Sequence, residues 1–209
     1  MILSRRELLR TAGAAPLAAR AAAGRLNVLM IAVDDLNNRL GCYGDHVVQS
    51  PNIDRLAARG ARFDSAYCNY PLCNPSRTSL LSGRRPDTTR IFDNTTPPRT
   101  HLGNVVMLPE HFRANGYFTG RVGKIAHGAF EDAVSWDVSE FASGRRPGAT
   151  ARKKGGAGAA GRGANNLVWE ATNNSDAEEP DGRTARRIVQ LMEEKRDKPF
   201  FLGCGFHKP

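Results

Sequence analysis

The 209 residues, 40% of them hydrophobic, suffice for one domain with a real core, and the net charge of +9 raises the question of a nucleic-acid partner. That partner is disfavoured by where the charge sits: residues 1–25 carry +4, residues 144–163 carry +6, and the rest is left at −1. The part that folds is close to neutral, and the high pI belongs to two appendages.

In chain order, the first appendage is Ser4-Arg5-Arg6-Glu7-Leu8-Leu9-Arg10 followed by an Ala-rich run to Ala23. It resembles a twin-arginine export signal over residues 1–24, which implies a bacterial periplasmic or extracellular destination. No later segment approaches the roughly 18 apolar residues a membrane span needs. Leu26 to Val33 is a continuous apolar run with β-branched members, the pattern of a parallel strand buried on both faces. Ser50-Pro51 opens a helix through Ile53, Leu56 and Ala57 that stops at Gly60, and a strand is expected from Ala61 to Tyr67. A helix follows Cys73, another runs from Leu108 to Asn115, and Tyr117 to Val122 is a further strand. Residues 144–166 are Gly, Ala, Arg and Lys with almost no large apolar side chain, so a mobile basic insert is expected there. A helical period through Ala185, Ile188, Val189 and Met192 and a buried-type strand from Pro199 to Phe206 close the chain. Alternating strands and helices predict a doubly wound α/β sheet, mostly parallel, with flanking helices.

Four cysteines, Cys42, Cys68, Cys73 and Cys204, lack Cys-x-x-Cys spacing, which argues against zinc or a redox pair. Cys42, Cys68 and Cys204 are expected as small core residues. Cys73 differs, because Pro75 suits the first turn of a helix and Gly83 its stop, so the thiol stands at a helix mouth where free N–H groups favour an anion. Asp34 and Asp35 end the first strand, where open α/β sheets place ligands, and adjacent carboxylates ionise together most easily around a cation.

Cys73-Asn74-Pro75-Ser76-Arg77 resembles the signature of the type I sulfatases, whose cysteine is oxidised to formylglycine. Leu40-Gly41-Cys42-Tyr43-Gly44, Ser50 to Ala57, Gly83 to Arg90, Val122-Gly123-Lys124-Ile125-Ala126-His127-Gly128 and Phe200 to Pro209 extend the likeness, most closely toward the iduronate-2-sulfatase branch. The resemblance implies the alkaline-phosphatase-like sulfatase fold over residues 25–209. It implies that Asp34, Asp35 and the modified Cys73 hold a divalent cation, Ca²⁺. Arg77 would anchor the hydrated aldehyde, Lys124 and His127 would line the anion site, and His207 would protonate the leaving alcohol. Sulfate esters demand such residues, because the sulfur is shielded by negative oxygens and needs cationic charge around them. Sulfated sugars are the implied substrates and a formylglycine-generating enzyme the implied maturation partner.

The family's further metal-site Asp beside Asn or His, and a second sulfate-site lysine, have no counterpart within these residues. The sequence therefore matches the N-terminal half of a sulfatase, and little activity is expected of the 209 residues alone. Two alternatives stay open at this point. One is a non-catalytic remnant that binds sulfated glycans; the other is a phosphatase or phosphonate hydrolase of the same superfamily, which commonly uses Thr or Ser where this chain has Cys73.

Overall fold

The computed structural model describes residues 24–128, 130, 136–141 and 173–207. The segments expected to form an export signal and a basic insert lie outside the described residues. Four strands, β1 (Val28–Val33), β2 (Phe118–Gly123), β3 (Val138–Glu140) and β4 (Phe200–Phe206), form one sheet in the order β1-β4-β2-β3. Every pairing in it is parallel, as the apolar runs of β1 and β4 without polar alternation favour. Among the described residues six α-helices accompany it: α1 (Pro51–Arg59), α2 (Cys73–Ser82), α3 (Pro86–Thr89), α4 (Arg99–Leu102), α5 (Leu108–Ala114) and α6 (Pro180–Glu194).

The sheet separates two apolar clusters. Phe200, Leu202 and Cys204 of β4 join Val122 of β2 under Ile188 and Leu191 of α6. On the other face Leu81 of α2, Leu102 of α4 and Met107 pack with Ile125 and Ala126 against Met30 and Ala32 of β1. Phe201 points to this second face, with its ring stacked 4.4 Å from Phe112 and 5.8 Å from Trp136. Each such buried side chain contributes about 1.5–3 kcal/mol relative to exposure, so two filled layers hold a four-stranded sheet.

Three expectations are corrected. β1 is covered on one face only: it is an edge strand, and Leu29 and Ile31, which share the α6 side with Leu202 and Cys204, remain 37% and 51% exposed. α6 lies over β4 and β2 and stops short of β1. Residues 61–67 form no strand; all are exposed, and no neighbouring strand pairs with them among the described residues. In α6 the buried positions are Thr184, Ile188 and Leu191, whereas Val189 is half exposed, so the inward stripe lies one step round from the expected one. Cys204 is buried as expected, Cys42 is intermediate, and Cys68 is exposed.

The ends of β2 and β4 approach unusually closely. A side chain at Gly205 would lie 2.1 Å from the Lys124 carbonyl oxygen, and one at Gly123, whose φ is +83°, would lie 2.0 Å from the Gly205 oxygen. Only glycine fits either position. That contact draws the segment from Lys124 to His127 against the C-terminal edge of the sheet, beside the end of β1.

Candidate active site

α2 begins at Cys73, with Leu72 in extended conformation as its N-cap residue, and ends at Gly83, whose φ of +67° and N–H to the Ser79 oxygen (2.9 Å) make a left-handed cap. The helix is polar for its depth: Asn74, Arg77, Thr78 and Ser79 are all buried. Buried polar groups need partners, and each of these has one. Asn74 donates to the carbonyls of Asp93 and Thr96, both at 2.9 Å, while its own N–H meets Asn94 Oδ1 at 3.0 Å. Asp93 in turn accepts from the N–H groups of Thr95 and Thr96 at 2.7 and 2.6 Å, so the 93–96 loop is tied to the first turn of α2. Sequence reasoning passed over Asn74, and its position next to Cys73 was the available signal.

β1 delivers Asp34 to the same place. Its N–H donates to the Phe206 carbonyl at 3.0 Å, which continues the ladder one residue past the strand, and Asp35 then turns with φ of +59°. A non-glycine residue in that region is strained, and here the turn sends two adjacent carboxylates to one side. Asp34, Asp35 and Cys73 offer ligand atoms all within 4.8 Å of one another.

Two cations close around Asp34. Arg77 donates through Nη2 to Asp34 Oδ1 at 3.0 Å and through Nη1 to the carbonyls of Lys124 and Ile125 at 2.7 and 2.8 Å. Lys124 Nζ donates to Asp34 Oδ2 and stands 3.6 Å from Cys73 Sγ, which itself faces Asp34 Oδ1 at 3.5 Å. Burial pushes the Asp34 carboxyl up, but the hydrogen bonds and charges of Lys124 and Arg77 outweigh it and hold the group below its ordinary range. The planar fork of Arg77 thus locks α2, the end of β1 and the 124–125 segment together.

His127 lies within reach of the same charges. Burial first, and then the ammonium of Lys124, hold its imidazole below the usual range, which favours the neutral form. Its Nδ1 is buried and has no hydrogen-bond partner among the described residues. His207 follows β4 at the same sheet edge, yet its ring is half exposed and faces Asp181, with Nδ1 3.9 Å from Oδ1. Asp34, Asp35, Cys73, Arg77, Lys124 and His127 are brought together, whereas the contacts of His207 among the described residues are to Asp181.

The donor set suits a hard divalent cation in part. Asp35 is exposed and makes no other hydrogen bond or ion pair among the described residues, whereas both oxygens of Asp34 already meet cations. A thiol is a poor ligand for such an ion, and an oxygen at position 73 would complete an all-oxygen set.

The Sulfatase family model matches residues 26–209. Among curated proteins, the chain is 38% identical to iduronate 2-sulfatase of Homo sapiens over 195 residues, which cover 88% of this chain and 35% of that protein. It is 34% identical to a sulfatase of Formosa agariphila, over 88% of this chain and 39% of that protein. A solved 2-O GAG sulfatase superposes with a TM-score of 0.61 at 25% identity, covering 89% of this chain and 35% of that one. The phosphonate monoester hydrolase of Agrobacterium radiobacter gives a TM-score of 0.68 at 19% identity, over 88% of this chain and 41% of that one, a likeness of fold alone. The chain spans little more than a third of the length of these curated relatives.

Proposed function

The chain belongs to the sulfatase family, and on that premise we propose that its residues supply part of a site that hydrolyses sulfate esters, those of a sulfated sugar, through residue 73 matured to formylglycine, with little turnover by the 209 residues alone. The observation that carries the reading is the position of Cys73 Sγ, 3.6 Å from Lys124 Nζ and 3.5 Å from Asp34 Oδ1 at the mouth of α2. Packing alone gives a cysteine no reason to stand among an ammonium, a guanidinium and two carboxylates.

Matured, residue 73 offers the two hydroxyls of a hydrated aldehyde, one to attack sulfur and one to release it. Asp34 and Asp35 would hold Ca²⁺, which supplies positive charge to the sulfate oxygens when bound. Lys124 and Arg77 provide fixed cationic charge beside residue 73, where negative charge builds up as the ester bond breaks. His127, its imidazole held below the usual range, can take a proton at its unpartnered Nδ1 and would help the cation deprotonate the attacking hydroxyl. His207 is the donor to the leaving alcohol and has to turn from Asp181 to reach it. A formylglycine-generating enzyme is the maturation partner, and the twin-arginine segment sends the product to the periplasm or beyond.

A superfamily phosphatase or phosphonate hydrolase is the weaker reading, because Cys73 stands where those enzymes commonly use Thr or Ser. Peptide mass spectrometry across residues 73–77, on protein made together with a formylglycine-generating enzyme, tests the proposal. Loss of the thiol mass in favour of the aldehyde is expected. Unmodified cysteine throughout would refute it.

A further inference from the structure

Cys73 and Lys124 form a pair whose chemistry does not require maturation. With the thiol still in place, we infer that they are a redox-responsive cross-link site: a peroxide oxidises Cys73, and the Lys124 amine captures the oxidised sulfur as a sulfenamide. The S–N bond so formed can be reopened by thiols.

Cys73 starts α2 and Lys124 follows β2, 51 residues later, yet Nζ lies 3.6 Å from Sγ. One carboxylate holds both partners: the Cys73 thiol faces Asp34 Oδ1 at 3.5 Å and Lys124 donates to Oδ2. Arg77 donates to the same Oδ1 at 3.0 Å, so that carboxylate is itself fixed. The side chains of Lys124 and Asp34 are each 13% exposed, which keeps competing water away from the amine. Cys73 is only partly buried, and a molecule as small as hydrogen peroxide can reach it. Partial exposure among cationic neighbours marks the cysteines that peroxides oxidise first. The flexible lysine stem can close the remaining gap to sulfur without moving the backbone.

A sulfenic acid is commonly trapped by a second thiol. Among the described residues, the polar contacts of the Cys73 sulfur are Asp34 and Lys124, and no thiol is one of them. Cys204 is buried on the α6 face of β4, and all four cysteines are free. The amine is the nucleophile in place.

In the first step the Cys73 sulfur attacks a peroxide oxygen and the O–O bond breaks, so R–SH and H₂O₂ give R–SOH and H₂O. Sulfur is oxidised and peroxide reduced. Lys124 then passes one proton through Asp34 to solvent, and its nitrogen lone pair forms the S–N bond as the S–O bond breaks. The departing hydroxide takes a second proton from that nitrogen and leaves as water. Reopening consumes two thiols, which leave as a disulfide while Cys73 and the amine are restored. Until then the link shelters the sulfur from irreversible sulfinic and sulfonic acids.

The test uses the full chain made without a formylglycine-generating enzyme, its Cys73 thiol confirmed by mass, with Cys68→Ser so that tryptic peptide 63–77 holds one sulfur. Folded protein is treated with hydrogen peroxide and digested. A peptide joining residues 73 and 124 is expected, lighter than its parts by two hydrogens and separated again by dithiothreitol. Lys124→Arg keeps the charge and removes the nucleophile, so the joined peptide should vanish and sulfinic acid at Cys73 should rise about threefold or more. Unfolding in urea should abolish the link too, a comparison that needs no variant at position 124. Unreacted Cys73, sulfinic acid without the joined peptide in the folded chain with Lys124 intact, or an equal yield of that peptide in urea would overturn the inference. Matured chains are set aside by their mass, so failure here leaves the formylglycine test standing, and the converse holds too.

Discussion

Arg77 is the residue on which the site's geometry depends. Its guanidinium makes hydrogen bonds to two carbonyls and a carboxylate while only 8% exposed, so Arg77→Ala leaves Asp34 and two carbonyls short of partners. A loss of about 3 kcal/mol is expected in urea unfolding. Arg77→Lys should recover only part of it, because one ammonium cannot span three acceptors set in a fork. The cysteines differ just as sharply. Burial, with a smaller contribution from Asp181, pushes the Cys204 thiol up to about 11, whereas Cys68 is exposed. At pH 8 a disulfide reagent should label Cys68 within minutes and leave Cys204 unreacted until the chain unfolds, since thiolate is the reactive form. Rapid labelling of Cys204 in folded protein would contradict this burial.

Among the elements, glycines act in two ways, one at the C-terminal edge of the sheet and one at the end of α2. Gly205→Ala brings a methyl against the Lys124 carbonyl, which is backbone and cannot swing aside, so the β2–β4 register has to open. A cost of about 3 kcal/mol or more and a clearly lower Tm are expected. Gly83→Ala meets open space and loses only the left-handed cap of α2, for about 1 kcal/mol. Comparing the two melts separates close approach from conformational preference. β3 is joined to α6 differently, through Arg187 Nε and Nη2 to Glu140 at 2.8 and 3.0 Å. The Arg187 hydrogen bonds hold the Glu140 carboxyl below its ordinary 4.5 against a smaller opposing effect of burial. A depressed folded value gives stability that is complete above the unfolded value and is lost as pH falls through the folded one. Wild type should therefore lose stability faster than Glu140→Gln below about pH 4.5, by no more than about 1 kcal/mol because both side chains are partly exposed. Parallel acid titrations of the two proteins by circular dichroism would measure the difference.

On the scale of the whole molecule, the described residues leave the α6 face of the sheet open over edge strand β1. Leu29 and Ile31 on edge strand β1 are exposed, as are Ile53 and Leu56 on α1, which buries none of its residues. Such surface favours association, so Ile31→Lys should raise solubility and shift the sedimentation profile toward smaller species while costing less than about 0.5 kcal/mol of stability. No helix among the described residues is long and apolar enough to cross a membrane. The cation site has the same unfinished character. Asp34, Asp35 and residue 73 are the ligand groups that gather among the described residues, against the six to eight oxygens calcium takes. Calcium titration of the 209-residue chain should accordingly show weak binding, in the millimolar range or above, and turnover of sulfate esters by this chain should be slight.

What could be read from the residues alone was the local grammar. The apolar runs of β1 and β4, the Pro and Gly that bracket α2, the glycine after α5 and the parallel α/β class all follow from nearest-neighbour chemistry, which a sequence carries in full. The motif around Cys73, with Asp34, Lys124 and His127, likewise identified the sulfatase family. Tertiary structure decided the rest, because burial and pairing depend on what lies beside an element. β1 became an edge strand with an open face, residues 61–67 found no strand to join, and the inward stripe of α6 moved to Thr184, Ile188 and Leu191. It also decided that Asp34 is clasped by Arg77 and Lys124, that Asn74 ties down the 93–96 loop, and that His207 faces Asp181. Hydrogen bonds between residues 19 to 90 positions apart leave no periodic trace in a sequence, and only the folded chain brings their partners within reach.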